Sequence, residues 1–235
     1  MSVDSASIAF NKRLTLEDFA TLFGTVPSQI KPTCRGLIDQ YDFAYRVLEG
    51  SERDDALLTV VDAIDTDTQI IGAQERKGVF QKGWGENLQA FIEGDNDLRA
   101  LIPKYIKPNP ILRLNREYIR PATKTFELDY YRVFRQWLFE TYLDDVDTVY
   151  EFGCGTGWNL VHLAEIYPCL EMHGFDFVNS SRDLLEHIRE SYGLNITGHL
   201  FDMLHPDEEI SFNGKSAVLT FGAVEQLAGD IDPFL

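Results

Sequence analysis

The chain has 235 residues and a mass of 26.8 kDa, with 44 % hydrophobic and 25 % charged residues, which fits a soluble globular protein and excludes disordered, collagen-like and disulfide-rich compositions. No apolar run approaches the roughly 18–20 residues needed to span a bilayer, and Met1-Ser-Val-Asp-Ser5 lacks the basic start and apolar block of a signal peptide, so a cytoplasmic location is expected and membrane partners are not. Of the net charge of −17, residues 1–120 contribute 15 Lys/Arg against 18 Asp/Glu and residues 121–235 contribute 6 against 20, an acidic second half that disfavours a nucleic-acid partner.

The first 120 residues read as a mainly helical region. Thr15-Leu-Glu-Asp18 resembles a helix N-terminal cap, followed by apolar Phe19, Leu22 and Phe23. Ile38, Tyr41, Phe43, Tyr45 and Val47 are compatible with a helix closing at Gly50, and Ala56 to Ile64 predicts another. The polar Asp65-Thr-Asp-Thr68 that follows begins like a calcium loop, but Ile70 and Arg76 stand where glycine and glutamate are required, so it reads as a turn. Gly83-Trp-Gly85 marks a break before a helical run from Glu86 to Ile92. Residues 103–124 carry Pro103, Pro108, Pro110 and Pro121 among six cations and one acid, Glu117. That composition reads as a solvated basic linker, with an anion-binding lid as the alternative.

From Thr125 the pattern becomes regular. Phe126, Tyr130, Val133, Phe134, Trp137 and Leu138 share one helical face. Thr148 to Phe152 predicts a strand, and Leu160, Leu163, Ala164 and Tyr167 a helix ended by Pro168. A second strand is expected over Glu171–Asp176. The next helix opens at Ser180-Ser-Arg-Asp183, turns Leu184, Leu185, Ile188 and Tyr192 inward and ends at Gly193. Further strands near Ile196–Phe201 and Ser216–Phe221 continue the alternation, which implies a parallel sheet within an α/β domain over 121–235. Cys34, Cys154 and Cys169 form no CxxC pair, and the five histidines show no metal-ligand spacing, so reduced thiols and no metal are expected.

Gly153, Gly155 and Gly157 fall between a strand and a helix, where missing side chains let a ligand approach the backbone and helix N–H groups point outward. A dinucleotide fingerprint would need glycine or alanine at position 158, which is Trp158, so a nicotinamide oxidoreductase is disfavoured. Glu151, Asp176 and Asp202 end or lead out of consecutive strands, and Asp176 lies 19 residues beyond Gly157, close to the ~20-residue offset at which a carboxylate meets ribose hydroxyls.

Val149-Tyr-Glu-Phe-Gly-Cys-Gly-Thr-Gly157 resembles motif I of the class I S-adenosylmethionine-dependent methyltransferases. The resemblance covers about residues 149–226 and implies a doubly wound, mostly parallel Rossmann-like sheet with S-adenosylmethionine as cofactor. It implies that Glu151, Gly153, Cys154, Gly155 and Gly157 form the cofactor loop. It implies further that Asp176 binds the ribose, with Phe177 beside it, that Asp202 and Met203 meet the adenine, and that Phe221 lies in the motif IV segment Thr220–Gln226. Trp158 and Tyr118 are further aromatic candidates beside the sulfonium. Glu225, His205 and His199 are candidates for a general base, of which Glu225 and His205 are taken as catalytic.

Phe221-Gly-Ala-Val224 does not match the Asn/Asp-Pro-Pro-aromatic signature of amine-directed relatives, so the expected acceptor is a small molecule, a hydroxyl on a sugar or other metabolite. Relatives build seven strands, and the sheet here is expected to be incomplete after its fourth strand, either because the chain is a fragment or truncated product or because a second copy or partner chain covers the open edge. The alternative function is a non-catalytic cofactor-binding or interaction module.

Overall fold

A computed structural model describes residues 10–66, 76–108, 111–206, 210–212, 214–227 and 231–235. In chain order its elements are β1 (Lys12–Arg13), α1 (Leu16–Leu22), α2 (Pro32–Gln40), β2 (Ala44–Val47), α3 (Gly50–Thr66), α4 (Arg76–Glu93), β3 (Leu112–Leu114), β4 (Glu117–Pro121), α5 (Phe126–Tyr142), β5 (Thr148–Phe152), α6 (Trp158–Ile166), β6 (Glu171–Asp176), α7 (Asn179–Tyr192), β7 (Ile196–Leu200) and β8 (Ser216–Thr220). They fall into two compact units, one of residues 1–68 and 106–140, the other of 69–105 and 141–235. Beside the expected boundary near residue 120, residues 76–105 group with the later part of the chain. Among the described residues no helix is long and apolar enough to cross a membrane.

The first unit combines helices with an antiparallel sheet of order β1-β2-β4-β3. Its core is aromatic: Phe19, Phe23, Phe43, Phe126 and Trp137 pack with Leu14, Ile38, Ile119 and Val133, Phe43 edge-on to Phe19 at 4.9 Å and Trp137 stacked on Phe23 at 4.6 Å. The Thr15 cap forms as expected, as a reciprocal box with Asp18.

Three expectations for this region are corrected. No helix runs from Ile38 to Gly50: α2 ends at Gln40, Asp42 Oδ1 accepts from the Ala44 N–H, and Ala44–Val47 pairs with β1 and β4. The alternation of Phe43, Tyr45 and Val47 is therefore that of a strand. The basic proline-rich stretch is not simply a linker either, since Leu112–Leu114 and Glu117–Pro121 form a hairpin. Asn115 and Arg116 both have positive φ, 47° and 71°, as a two-residue type I′ turn requires. Asp65 and Thr66 belong to α3, and the remainder of the expected polar turn, Asp67 and Thr68, lies outside the described residues.

Arg120 of that hairpin and Arg46 of β2 both reach Glu52, the former at 2.9 Å and the latter at 2.5 Å. The hydrogen bond from Arg46, followed by that from Arg120, holds the Glu52 carboxyl down to about 2. A depressed folded-state value stabilises the fold above the ordinary carboxylate pKa, and the contribution is lost as pH falls toward 2. Glu52→Gln is expected to flatten the stability of this unit between pH about 4.5 and 2, as read by urea unfolding across that range; an unchanged slope would remove the assignment.

In the second unit β5, β6, β7 and β8 form an all-parallel sheet of order β7-β6-β5-β8. The strands come out where the apolar runs predicted them. Helix α6 ends at Ile166 before Pro168, and α7 is closed by Gly193 at φ 63°. Tyr192, expected to face inward, is exposed and donates its hydroxyl to the Asn96 carbonyl. Gly83-Trp-Gly85 does not break the chain: it lies within the 18-residue α4, which packs against α7. That packing outweighs the roughly 1 kcal/mol that each helical glycine costs relative to alanine.

Candidate functional site

Strand order reverses between β5 and β8, since β6 and β7 lie to one side of β5 and β8 to the other. Such a switch point opens a crevice at the carboxyl ends of parallel strands. An open cleft lies there. Its floor is Phe152, Gly153, Phe175, Asp176, Phe201 and Asp202 at the ends of β5, β6 and β7, with Gly222, Ala223, Gln226 and Leu227 from the segment after β8. Arg76, Phe80 and Trp84 of α4, at i, i+4 and i+8, supply a wall.

The loop after β5 has Gly153, Gly155 and Gly157 all at positive φ, 71°, 55° and 73°. A Cβ at Gly153 would overlap that of Ala223, and one at Gly157 would overlap Leu185 Cδ2. Trp84 Cζ2 lies 3.1 Å from where a Cβ on Gly155 would stand, so an indole face rests on the bare backbone of the loop. Thr156 ties the loop down by donating its hydroxyl to the Leu101 carbonyl at 2.6 Å.

Asp176 is 5 % exposed and lines the cleft. Its Oδ2 accepts from the Gly155 N–H at 3.0 Å and its Oδ1 from the Val178 N–H at 3.3 Å. Burial pushes its carboxyl up to about 6, against the opposing pull of those backbone donors. The Phe177 N–H draws the carboxyl down as well, so three backbone donors hold it at the cleft edge. Asp202 accepts from the Leu204 N–H at 3.0 Å and lies in the cleft beside Met203. Phe177 also lines it, edge-on to Phe80 at 5.6 Å with Lys77 over its face.

Other sequence candidates fall elsewhere. Glu151 is fully buried under the loop, where Oε1 accepts from Asn159 Nδ2 at 2.6 Å and so braces α6; it does not line the cleft. Cys154 is buried against Ser181, and burial raises its thiol well above the ordinary value. Phe221 is not among the lining residues, although Gly222 and Ala223 beside it are. Neither residue taken as catalytic is among the lining residues, though both lie next to one: Glu225 is exposed on the turn after β8 with Oε1 3.6 Å from where a Cβ on Gly222 would stand, and His205 is exposed with Nδ1 3.4 Å from Asp202 Oδ2. His199 lies on the sheet face, stacked on Phe175 at 4.5 Å and 2.9 Å from His173 Nδ1. Trp158 opens α6, and Tyr118 belongs to the other unit, on β4 beside Arg113. The sequence reading missed Arg76, Phe80 and Trp84; their four-residue spacing was the available signal, hidden by the glycines flanking Trp84.

Fold and cleft together define an α/β unit with a four-stranded parallel sheet and a cleft at its switch point. No protein-family model and no curated protein matches the chain, whereas 81 chains of solved structures do. Among them are geranyl diphosphate C-methyltransferase from Streptomyces coelicolor A3(2), in complex with Mg2+, geranyl diphosphate and S-adenosyl-L-homocysteine (14 % identity over 68 % of this chain and 61 % of that one, TM-score 0.37), coclaurine N-methyltransferase bound to N-methylheliamine and SAH (15 %, 68 % and 52 %, TM-score 0.32), and PKMT2 from Rickettsia typhi in complex with AdoHcy (24 %, 33 % and 15 %, TM-score 0.29). The chain spans less than two thirds of the length of each of these structures.

Proposed function

We propose that the second unit binds S-adenosylmethionine and that the chain serves methyl transfer to a small-molecule acceptor. The observation that carries this reading is the gathering of the Gly153 backbone, Asp176 and Asp202 in one cleft at the ends of three adjacent parallel strands. In this reading Asp176 accepts from the ribose hydroxyls, and Asp202 and Met203 border the adenine. The carboxylates of Asp176 and Asp202 in the cleft suit a sulfonium cation better than the neutral product left after transfer.

Methyl transfer is an in-line displacement whose main demand on the protein is alignment. Glu225 and His205, beside the lining residues Gly222 and Asp202, stay the candidates for a general base, and the acceptor's hydroxyl character remains the expectation drawn from the motif IV segment. Calorimetric titration with S-adenosylhomocysteine, with NAD as the competing ligand class, tests the reading. Saturable binding of the former alone is expected; preference for NAD would overturn it. Transfer of label from S-adenosylmethionine to a hydroxyl-bearing metabolite would establish the enzyme, and binding without transfer to any acceptor would leave a cofactor-binding module.

A further inference from the structure

The cleft holds one group that a cationic cofactor does not need. Arg76 is the one basic residue among its described lining residues, set in the unit that carries most of the chain's excess acid. Its Nη1 donates to Gln226 Oε1 at 2.7 Å, its guanidinium lies over the Phe80 ring at 5.2 Å, and its Nε–H is buried with no acceptor. Among the described residues no carboxylate pairs with it. A buried guanidinium donor without a partner is costly, and a fork with one arm tied by an amide keeps donors that a carboxylate or phosphate would satisfy.

Position separates this group from the cofactor acids. Gln226 follows β8, on the opposite side of β5 from β6 and β7, whose ends carry Asp176 and Asp202. A guanidinium would repel the sulfonium, so its place at the β8 side suits the other reactant.

We propose that Arg76, held by Gln226 and Phe80, reads an anionic group on the methyl acceptor, so that the acceptor is a carboxylate- or phosphate-bearing small molecule. The inference rests on the cofactor reading above and adds the acceptor's charge to it. An acidic domain would otherwise repel such a molecule, and one arginine in the cleft offsets that locally while giving it an orientation.

The test uses the full chain and three proteins: wild type, Arg76→Met and Arg76→Lys, with thermal unfolding as the check that each is folded. S-adenosylhomocysteine and 5′-methylthioadenosine, which lacks the amino-acid part, are titrated first; inorganic phosphate and acetate are then titrated with and without S-adenosylhomocysteine. The expected result is cofactor affinity within about twofold in all three proteins, anion binding weakened at least tenfold in Arg76→Met, and an intermediate loss in Arg76→Lys. If Arg76→Met weakens S-adenosylhomocysteine but not 5′-methylthioadenosine, Arg76 holds the cofactor's own carboxylate and the proposal fails. It fails equally if wild type and Arg76→Met bind the anions alike or not at all. Anion binding that depends on Arg76 in a protein that ignores S-adenosylhomocysteine would instead retire the cofactor reading and leave the anion subsite standing.

Discussion

Asp176→Asn is expected to weaken S-adenosylhomocysteine about ten- to a hundredfold at pH 7.5 and to flatten the pH dependence of the stability of the protein without cofactor. The first effect follows from replacing a charged acceptor of two ribose hydroxyls by a neutral amide, a loss of about 1.5–3 kcal/mol. The second follows from burial. A carboxyl that titrates at about 6 in the fold, and near 3.8 when exposed, binds its proton more tightly folded than unfolded. Stability is then highest below pH ~4, declines as pH rises from about 4 to 6, and stays at the lower level above; the cost at neutral pH is on the order of 2–3 kcal/mol. The amide removes that slope. Donors from a ribose favour the ionised form, so wild-type affinity should rise as pH increases through about 6, and Asp176→Asn should show no such rise. Calorimetry at pH 5.0 and 7.5, paired with urea unfolding over pH 4–7, reads both effects. A variant with unchanged affinity would sink the ribose assignment whatever its stability.

Gly157→Ala should cost about 2–5 kcal/mol of stability, a large share of the 5–15 kcal/mol typical of a domain. Two independent terms add. Gly157 sits at φ 73° immediately before α6, a left-handed conformation that costs a side-chain-bearing residue roughly 1–2 kcal/mol. The new methyl would also overlap Leu185 Cδ2, with Ile188 Cδ1 3.7 Å away and both side chains fully buried; such overpacking typically costs ~1–3 kcal/mol. Denaturant unfolding measures the loss. A shift below ~0.5 kcal/mol would mean that the loop relaxes without difficulty and that its glycine is not required by packing.

The α/β part was legible because its signals are local and redundant. Short strand segments rich in apolar residues alternate with helices whose ends are marked by the glycine loop, Pro168 and Gly193, and the strand-end acids follow from them. What the sequence hid were side-chain directions just past a strand end. Phe221, Gly222, Ala223 and Glu225 are close in sequence, yet two line the cleft and two do not, because no periodicity governs a turn. The wall formed by α4 was hidden for another reason: Gly83 and Gly85 are poor helix residues, and only tertiary contact with α7 settles their conformation. The hairpin at Leu112–Pro121 was obscured by its arginines, whose charges are met by Glu52 of α3, a partner 68 residues from Arg120.

The glycines also carry two meanings that the sequence cannot separate. Gly155 lies bare beneath Trp84 in the unit that holds the cleft, while Gly157 is occupied from behind by Leu185. Leu185 does more than fill that one position, because a Cβ at Gly174 of β6 would overlap its Cδ1 and one at Gly198 of β7 would lie 3.1 Å from its Cβ. One leucine thus seats α7 into three glycines drawn from a loop and two strands. These four positions form a single energetic unit: once Leu185 is shortened to alanine, the penalty for a methyl at Gly157 should shrink, and substitutions among them will not add. Mutational tolerance at the glycine loop is therefore set partly from the far side of the sheet, by a side chain that never meets the ligand.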